Sequence, residues 1–354
     1  MSKIGWTLVE TLEPDRITVV ARDEQARSRT SFERAVQDRI GGGKGPGSEA
    51  AAWLSKLIDQ IRSQPAPLNE TYTLRNGQEL AARLLPVVGP DQTLHGVQLW
   101  VGEQGSAPTS APQPTFGFTW DSARRLAELP PALTAGLERT HLTAPEIFRV
   151  VETVDAFSMI QTLLISEPRS CCEGAVTMRL GDDPMPAHLV MVAGPTEDQA
   201  FLWRGLLFET AANPAPPTSL EAAALAAIPR METQVHMALV DIAKFRLIRW
   251  ITDAPKSVQW KGMVDNRDTP HPNDVQRIFD SAARTFAGET QSGFVEGIRL
   301  RRKGGGWVVV DGAGALVQAT ADSPALAIIQ MRVTGYSDEP DPVPPTDEGH
   351  PGLD

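Results

Sequence analysis

His271-Pro272-Asn273-Asp274-Val275-Gln276-Arg277-Ile278-Phe279 reads as the start of a helix, and the architecture follows from what flanks it. Val275, Ile278, Phe279 and Ala282 recur at the 3.6-residue spacing of an amphipathic helix. His271 is placed to help cap it. Before it, extended runs lie within His236–Ile251. After it, strands are expected at Glu296–Lys303, Trp307–Val310 and Leu326–Val333, with Gly312-Ala313-Gly314 as a turn between the last two. Two strands, a helix and three strands make one antiparallel sheet with helices on one face, an α+β arrangement.

The same order recurs upstream. Residues 1–104 open with the extended runs Trp6–Leu12 and Arg16–Ala21, then carry Trp53, Leu54, Leu57, Ile58 and Ile61 on one helical face. Three strands follow, marked by Tyr72 and Leu74, by Leu80, Ala82 and Leu84, and by Val97, Leu99 and Val101. Asn76-Gly77 predicts a tight hairpin between the first two, because both residues tolerate positive φ. Residues 115–212 begin with the strand Phe116–Trp120. Thr143 and Glu146 form a capping box before a helix through Ile147, Val150, Val151, Val154 and Phe157. A meander through Val176–Leu180, Leu189–Val192 and Phe201–Phe208 completes the block, with Gly181–Pro184 as its first turn. Element order repeats; residue identity does not.

Proline-rich seams separate the blocks, since repeated proline and low hydrophobicity keep chain extended and exposed. The expected organisation is a domain at 1–104, a linker at 105–114, a domain at 115–212, a linker at 213–219 and a domain at 220–336. An acidic, Pro-rich disordered tail at 337–354 ends the chain. The Ala-rich helix Leu220–Ile228 is placed either to pair with a copy of itself, giving a homodimer, or to brace two domains of one chain. A chain of 354 residues is long for one core. Its net charge of −11 argues against a general nucleic-acid binder, because phosphate needs a cationic field. The run Arg299, Arg301, Arg302, Lys303 reads as a solvated strand face. Cys171 and Cys172 are adjacent and the only two cysteines, which excludes a disulfide framework and a four-cysteine zinc site. Neither a signal-peptide segment nor an apolar window of about 18 residues is present. A cytoplasmic protein without a membrane span is expected.

The segment His271-Pro272-Asn273-Asp274 before its helix resembles the His-Pro-acidic signature that precedes the long helix of PAS domains. Arg301-Arg302-Lys303-Gly304-Gly305-Gly306-Trp307-Val308 resembles the PAS segment in which a basic, Gly-containing turn leads to an aromatic at the next strand, although the usual acidic residue before glycine is absent. Gly117-Phe118-Thr119-Trp120-Asp121 looks like an opening PAS strand. The second block separates His141 from Pro145-Glu146, and the first fits a GAF or a PAS domain equally well. The layout is similar to the actinobacterial triple sensor-domain proteins, which carry GAF and PAS domains without an effector. That resemblance implies three tandem PAS/GAF-like domains, each a five-stranded antiparallel sheet covered by helices. It also implies a non-enzymatic signal integrator or scaffold that acts on a separate protein effector.

Catalytic and cofactor motifs are not apparent. Gly41–Ser48 places Gly45 after Lys44, where a phosphate loop needs Ser or Thr, and reads as a connector. Among the six histidines no His-x-x-x-His pair occurs, so neither a metal nor another cofactor is assigned. His95 and His188 lie on expected strands, where a neighbour-satisfied histidine is the commoner outcome than a haem ligand. For a small-molecule ligand, the candidates are Trp203, Trp250 and His188, read against ordinary core packing. Two alternatives stand beside the sensor reading. One is a structural scaffold whose clefts are filled by side chains such as Phe157, Met159, Trp203 and Phe208. The other is an enzyme, binding a small molecule or lipid at a domain boundary.

Overall fold

The computed structural model describes residues 5–40, 45–134, 140–153, 156–164, 167–179, 184–195, 201–210, 235–242, 246–261, 264–265, 267–317 and 326–345. The expected linker 213–219, the helix Leu220–Ile228, Gly41–Lys44, Val154, the turn residues Gly181–Asp183, the Phe157 side chain and the tail beyond residue 345 lie outside that description. The chain divides into two compact units, residues 1–140 with 151–214, and residues 141–150 with 215–354. All three sheets are antiparallel, and the α+β class holds.

In the first unit, β1 (Thr7–Glu13), β2 (Arg16–Arg22) and β3 (Gln25–Ser31) precede α1 (Phe32–Ile40) and α2 (Pro46–Ser63). Then come β4 (Leu68–Thr73), β5 (Glu79–Val88) and β6 (Leu94–Glu103), giving the order β3-β2-β1-β6-β5-β4. This sheet has six strands where five were expected. The extra strand, β3, is polar apart from Ala26 and joins β2 by Asp23 and Glu24, both at positive φ (53° and 65°). That is the geometry of a two-residue hairpin turn, made here without the usual glycine. The Asn76-Gly77 hairpin forms, but only Gly77 is left-handed (φ 83°). Gly77 N–H donates to Leu74 O (2.8 Å), so a three-residue turn closes β4 on β5.

The first unit continues with β7 (Thr115–Asp121) and β8 (Leu126–Glu128). The chain then contributes β9 (His141–Thr143) and α3 (Ala144–Val150) to the second unit, where α3 packs on a later strand. It returns with β10 (Val151–Thr153), α4 (Ala156–Leu164), β11 (Cys171–Met178), β12 (Met185–Pro195) and β13 (Phe201–Glu209). Within the first unit this second sheet runs β10-β11-β12-β13-β7-β8. One continuous helix through Ile147–Phe157 was expected, and the structure corrects this. Val151 to Thr153 pair instead with Met178 to Val176, and the β-branched residues there favour the ladder over a further helical turn. The capping box is seen from its Glu side: Glu146 accepts from Thr143 N–H (2.9 Å) and from its hydroxyl (2.8 Å).

β1 explains why the two sheets of this unit are one body. Every residue of Thr-Leu-Val-Glu-Thr-Leu-Glu is buried, as a strand covered on both faces must be. Val9 joins Phe32, Val36, Leu54, Ile58, Val97 and Leu99 in the core under α1 and α2. Leu8 and Leu12 join Val20, Ala21, Val190, Val192 and Phe208 in a second core against the second sheet.

The second unit also holds β14 (Val235–Asp241), β15 (Arg246–Trp250), α5 (Pro272–Phe286), β16 (Gly293–Arg301), β17 (Trp307–Leu316) and β18 (Leu326–Ser337). Their order is β15-β14-β18-β17-β16, so the first and last strands are central neighbours. His271 caps α5: its Nδ1 accepts from Asn273 N–H (3.1 Å), and Pro272 fills the first helical position. Gly304, Gly305 and Gly306 all have positive φ and make the β16–β17 turn. Gly312-Ala313-Gly314 is not a turn as expected. It lies within β17, paired with β16 and β18, where a Cβ on Gly312 would sit 3.1 Å from Ile298. Residues expected at the head of the tail are engaged as well. Trp307 Nε1 donates to Glu339 O (2.9 Å), and Arg267 to Asp341 (3.0 Å) and Val343 O (3.0 Å). Among the described residues, no helix is long and apolar enough to cross a membrane.

Candidate functional site

α1 forms because Phe32, Ala35 and Val36 make a short apolar stripe, and it closes one flank of the first sheet. Between α1, α2 and strands β1, β2 and β6 is a pocket lined by Val19, Phe32, Val36, Leu54 and Leu99, with Thr7 as a polar edge. Two arginines enter it, Arg22 from the end of β2 and Arg39 from the last turn of α1. The cavity is about 20 Å³, room for one water-sized group.

Arg22 donates from Nη2 to Ala35 O (3.1 Å), while its Nε–H is buried without an acceptor. Arg39 donates to the Thr7 hydroxyl and to Gly5 O. No carboxylate among the described residues lies within 4.0 Å of either guanidinium. Burial lowers the Arg39 pKa; Asp23 opposes the shift through its charge and Arg22 adds to it. Two cations thus share a largely apolar pocket with one distant counter-charge.

The opposite face of the same sheet carries two buried polar clusters. Glu10 is fully buried on β1 and accepts from Arg29 Nε (3.0 Å), Arg29 Nη2 (3.2 Å), Leu12 N–H (3.1 Å) and the Thr18 hydroxyl. Arg29 also donates to Glu13 (2.5 Å). Burial works against the Arg29 charge, but Glu10 and Glu13 overcome it and raise the pKa. Asp91 sits where β5 turns to β6 and takes His95 Nε2 (2.9 Å), Arg204 Nε (2.7 Å) and the Thr93 hydroxyl (2.8 Å). Burial opposes its ionisation, yet the hydrogen bonds from His95 and Arg204 hold it well below the usual carboxylate range. His95 is fully buried and its Nδ1 meets Gly205 O at 2.9 Å. Since Arg204 and Gly205 belong to β13, these bonds tie the two sheets together.

The three residues singled out from sequence are not brought together. His188 on β12 faces Phe208 (ring centroids 5.4 Å apart), and burial lowers its pKa. Trp203 on β13 is fully buried. His188 pairs with Phe208 and Ala193 with Trp203, an odd number of residues apart, so His188 and Trp203 lie on opposite faces of their sheet. Trp250 belongs to the second unit, edge-on to Trp260 at 4.9 Å. The Arg22–Arg39 pair went unrecognised because 17 positions separate the two residues in sequence. The sequence signal was a basic residue closing the apolar run Ile17–Arg22 and another in the last turn of the amphipathic segment Phe32–Ile40.

The basic run at 299–303 is not the solvated face it was expected to be. Arg299 donates to Asp274 (2.9 Å) and Glu339 (2.6 Å), and Arg302 to Asp338 (2.7 Å). Arg301 is 4% exposed and lies over the Trp307 ring at 5.3 Å. Asp274 is held below its ordinary pKa: burial opposes this, and Arg299 and Arg277 outweigh it. Among the described residues, no group of three or more His, Cys, Asp or Glu side chains is placed to hold a metal ion.

Residues 5–110 match the family model described as Rv3651-like, N-terminal, and residues 227–339 the Rv3651-like, C-terminal domain. No GAF or PAS model is among the matches. A search of curated proteins returns no match. A crystal structure of an uncharacterized protein from Mycobacterium tuberculosis superposes on 94% of this chain and 96% of its own, with a TM-score of 0.74 at 19% identity. That likeness is one of fold. An RNA-binding light-oxygen-voltage receptor covers 62% of this chain and 95% of its own at 11% identity, with a TM-score of 0.23. The periplasmic sensory domain of the Campylobacter jejuni chemoreceptor Tlp1 covers 62% and 76% at 10% identity, with a TM-score of 0.19. The chain is therefore similar to the Rv3651-like proteins over residues 5–110 and 227–339, and shares its fold with a mycobacterial protein over nearly its whole length.

Proposed function

We propose that the chain is a non-enzymatic signalling protein of the sensor-domain kind, a scaffold that reports a bound ligand to a separate protein effector. One observation carries this reading. The first sheet has a charged, apolar-walled pocket on its helix-covered face and, on the other, hydrogen bonds joining His95 and Asp91 to β13 of a second sheet. Thr7 lines the pocket, while Leu8 and Glu10 of the same strand are buried on the far side. A ligand that favours one arrangement of this layer changes what the second sheet presents, which is the thermodynamic requirement for a sensor. The PAS-like features of the third block, the His271 cap and the Gly304–Gly306 turn, support the same reading.

The test is affinity capture from the native cell with the full chain as bait, followed by reconstitution from purified components. The reading predicts a stoichiometric complex that Arg204→Ala weakens, because that change cuts the link from Asp91 to β13. Catalytic turnover by the purified chain, or no reconstituted complex, removes it. A purely structural scaffold is the second reading, favoured by the full burial of Trp203 and Phe208 in the second sheet. A complex indifferent to every ligand and to Arg204→Ala selects that alternative.

A further inference from the structure

We propose that the Arg22–Arg39 pocket binds a short carboxylate with an apolar tail, such as a C4 to C8 fatty acid. The proposal rests on the sensor reading only in supposing that the first sheet takes a ligand. Its own grounds are chemical. Half-burying two cations side by side costs free energy that a neutral acceptor offsets only in part; Arg22 has the Ala35 carbonyl and Arg39 the Thr7 hydroxyl and Gly5 carbonyl, but neither guanidinium meets a described carboxylate within 4.0 Å. Asp23, next to Arg22 in sequence, acts on Arg39 only at a distance. The Arg22 Nε–H is buried and lacks an acceptor, so the pocket holds a donor for an incoming oxygen. Buried donors left open in this way are uncommon and call for an explanation.

The rest of the wall selects the ligand. Val19, Phe32, Val36, Ile40, Leu54, Leu99 and Val101 offer no polar atoms to a second headgroup, but they suit methylenes. The empty space, about 20 Å³, holds one water-sized group, so the pocket opens to admit the headgroup as well as the tail. The tail enters by moving α1 side chains, such as Val36 and Ile40, away from Leu54. Inorganic phosphate is disfavoured, because it brings more charge to desolvate and no apolar surface to bury. A neutral alcohol of the same length keeps the tail but brings no negative charge to the two cations.

The experiment is titration calorimetry on the full chain with sodium hexanoate, hexan-1-ol and sodium phosphate in parallel. Saturable binding of hexanoate is expected, at least about tenfold tighter than hexanol, with no saturation by phosphate up to about 10 mM. Arg22→Gln, checked for a wild-type unfolding profile, should weaken hexanoate by about tenfold or more. Absence of saturable hexanoate binding, equal binding of hexanol, or binding of phosphate alone overturns the proposal. So does an unchanged affinity in folded Arg22→Gln. The wild-type ligand series decides the matter even if that variant fails to fold. A negative result removes the ligand class and leaves the partner-capture test of the scaffold standing.

Discussion

Arg29→Met isolates the value of the buried charge cluster on the far side of the first sheet. In the native chain Glu10 is at zero exposure and Arg29 supplies two of its four hydrogen bonds, at 3.0 and 3.2 Å. After the substitution Glu10 keeps only Leu12 N–H and the Thr18 hydroxyl, while Glu13 retains Arg16 at 3.6 Å. Methionine preserves much of the aliphatic stem, so packing changes little and the electrostatic loss dominates. Removing one partner of a buried pair costs about 3–5 kcal/mol, against about 0–1 for an exposed pair. At 2–4 °C per kcal/mol for a unit of this size, the melting temperature falls by about 6–20 °C. Urea unfolding followed by the fluorescence of Trp100 and Trp203, both buried in the same unit, measures the loss. Glu10→Leu combined with Arg29→Met should recover part of it, since no buried charge is then left alone. A loss below about 1 kcal/mol for Arg29→Met, or a double variant less stable than the single, refutes the reasoning.

Two further outcomes follow from the other clusters. Asp91 has a folded-state pKa below its unfolded value of about 3.9, so its contribution is complete above that value and is lost as pH falls below it. Asp91→Asn should therefore lower stability at pH 7 by about 1–3 kcal/mol and flatten the loss as pH falls from about 4 to about 2, read from urea midpoints at each pH. His271→Ala removes the Nδ1 cap of α5 and the edge-on contact with Trp307 at 4.6 Å, so the second unit should lose about 1–2 kcal/mol by the same measurement. An unchanged midpoint would show that the cap is replaced by solvent.

What could be read from sequence was whatever depends on local periodicity. α2, α5 and most strands follow from apolar spacing alone, and the Asn76-Gly77 hairpin from turn chemistry. β3 and its turn were hidden because Gln25–Ser31 buries almost nothing and Asp23-Glu24 carries no glycine. The break at Val151 was hidden because a helix pattern there competes with a ladder whose other strand lies some 25 residues on. The pocket and the two buried clusters were hidden for one shared reason. Arg22 with Arg39, Glu10 with Arg29, and Asp91 with Arg204 are long-range pairs of charged residues, which sequence pattern assigns to the surface.

β1 is where these observations combine. Thr7 and Val9 face the helices, and Leu8, Glu10 and Leu12 face the second sheet, so pocket and latch share one rigid strand two or three residues apart. A core packed on both faces does not deform continuously; it moves between discrete arrangements. Glu10 sharpens that choice, because a carboxylate at zero exposure must have its partners together or meet a penalty of several kcal/mol. A shift of Thr7 large enough to admit a headgroup must either carry Arg29 with it or break that set. Hydrogen exchange gives the decisive comparison: ligand added at the pocket should change protection at β3 and β12, while the edge strand β4 stays as it was. Protection changes confined to α1 would mean that the strand absorbs the ligand locally, and the coupling argument would fall.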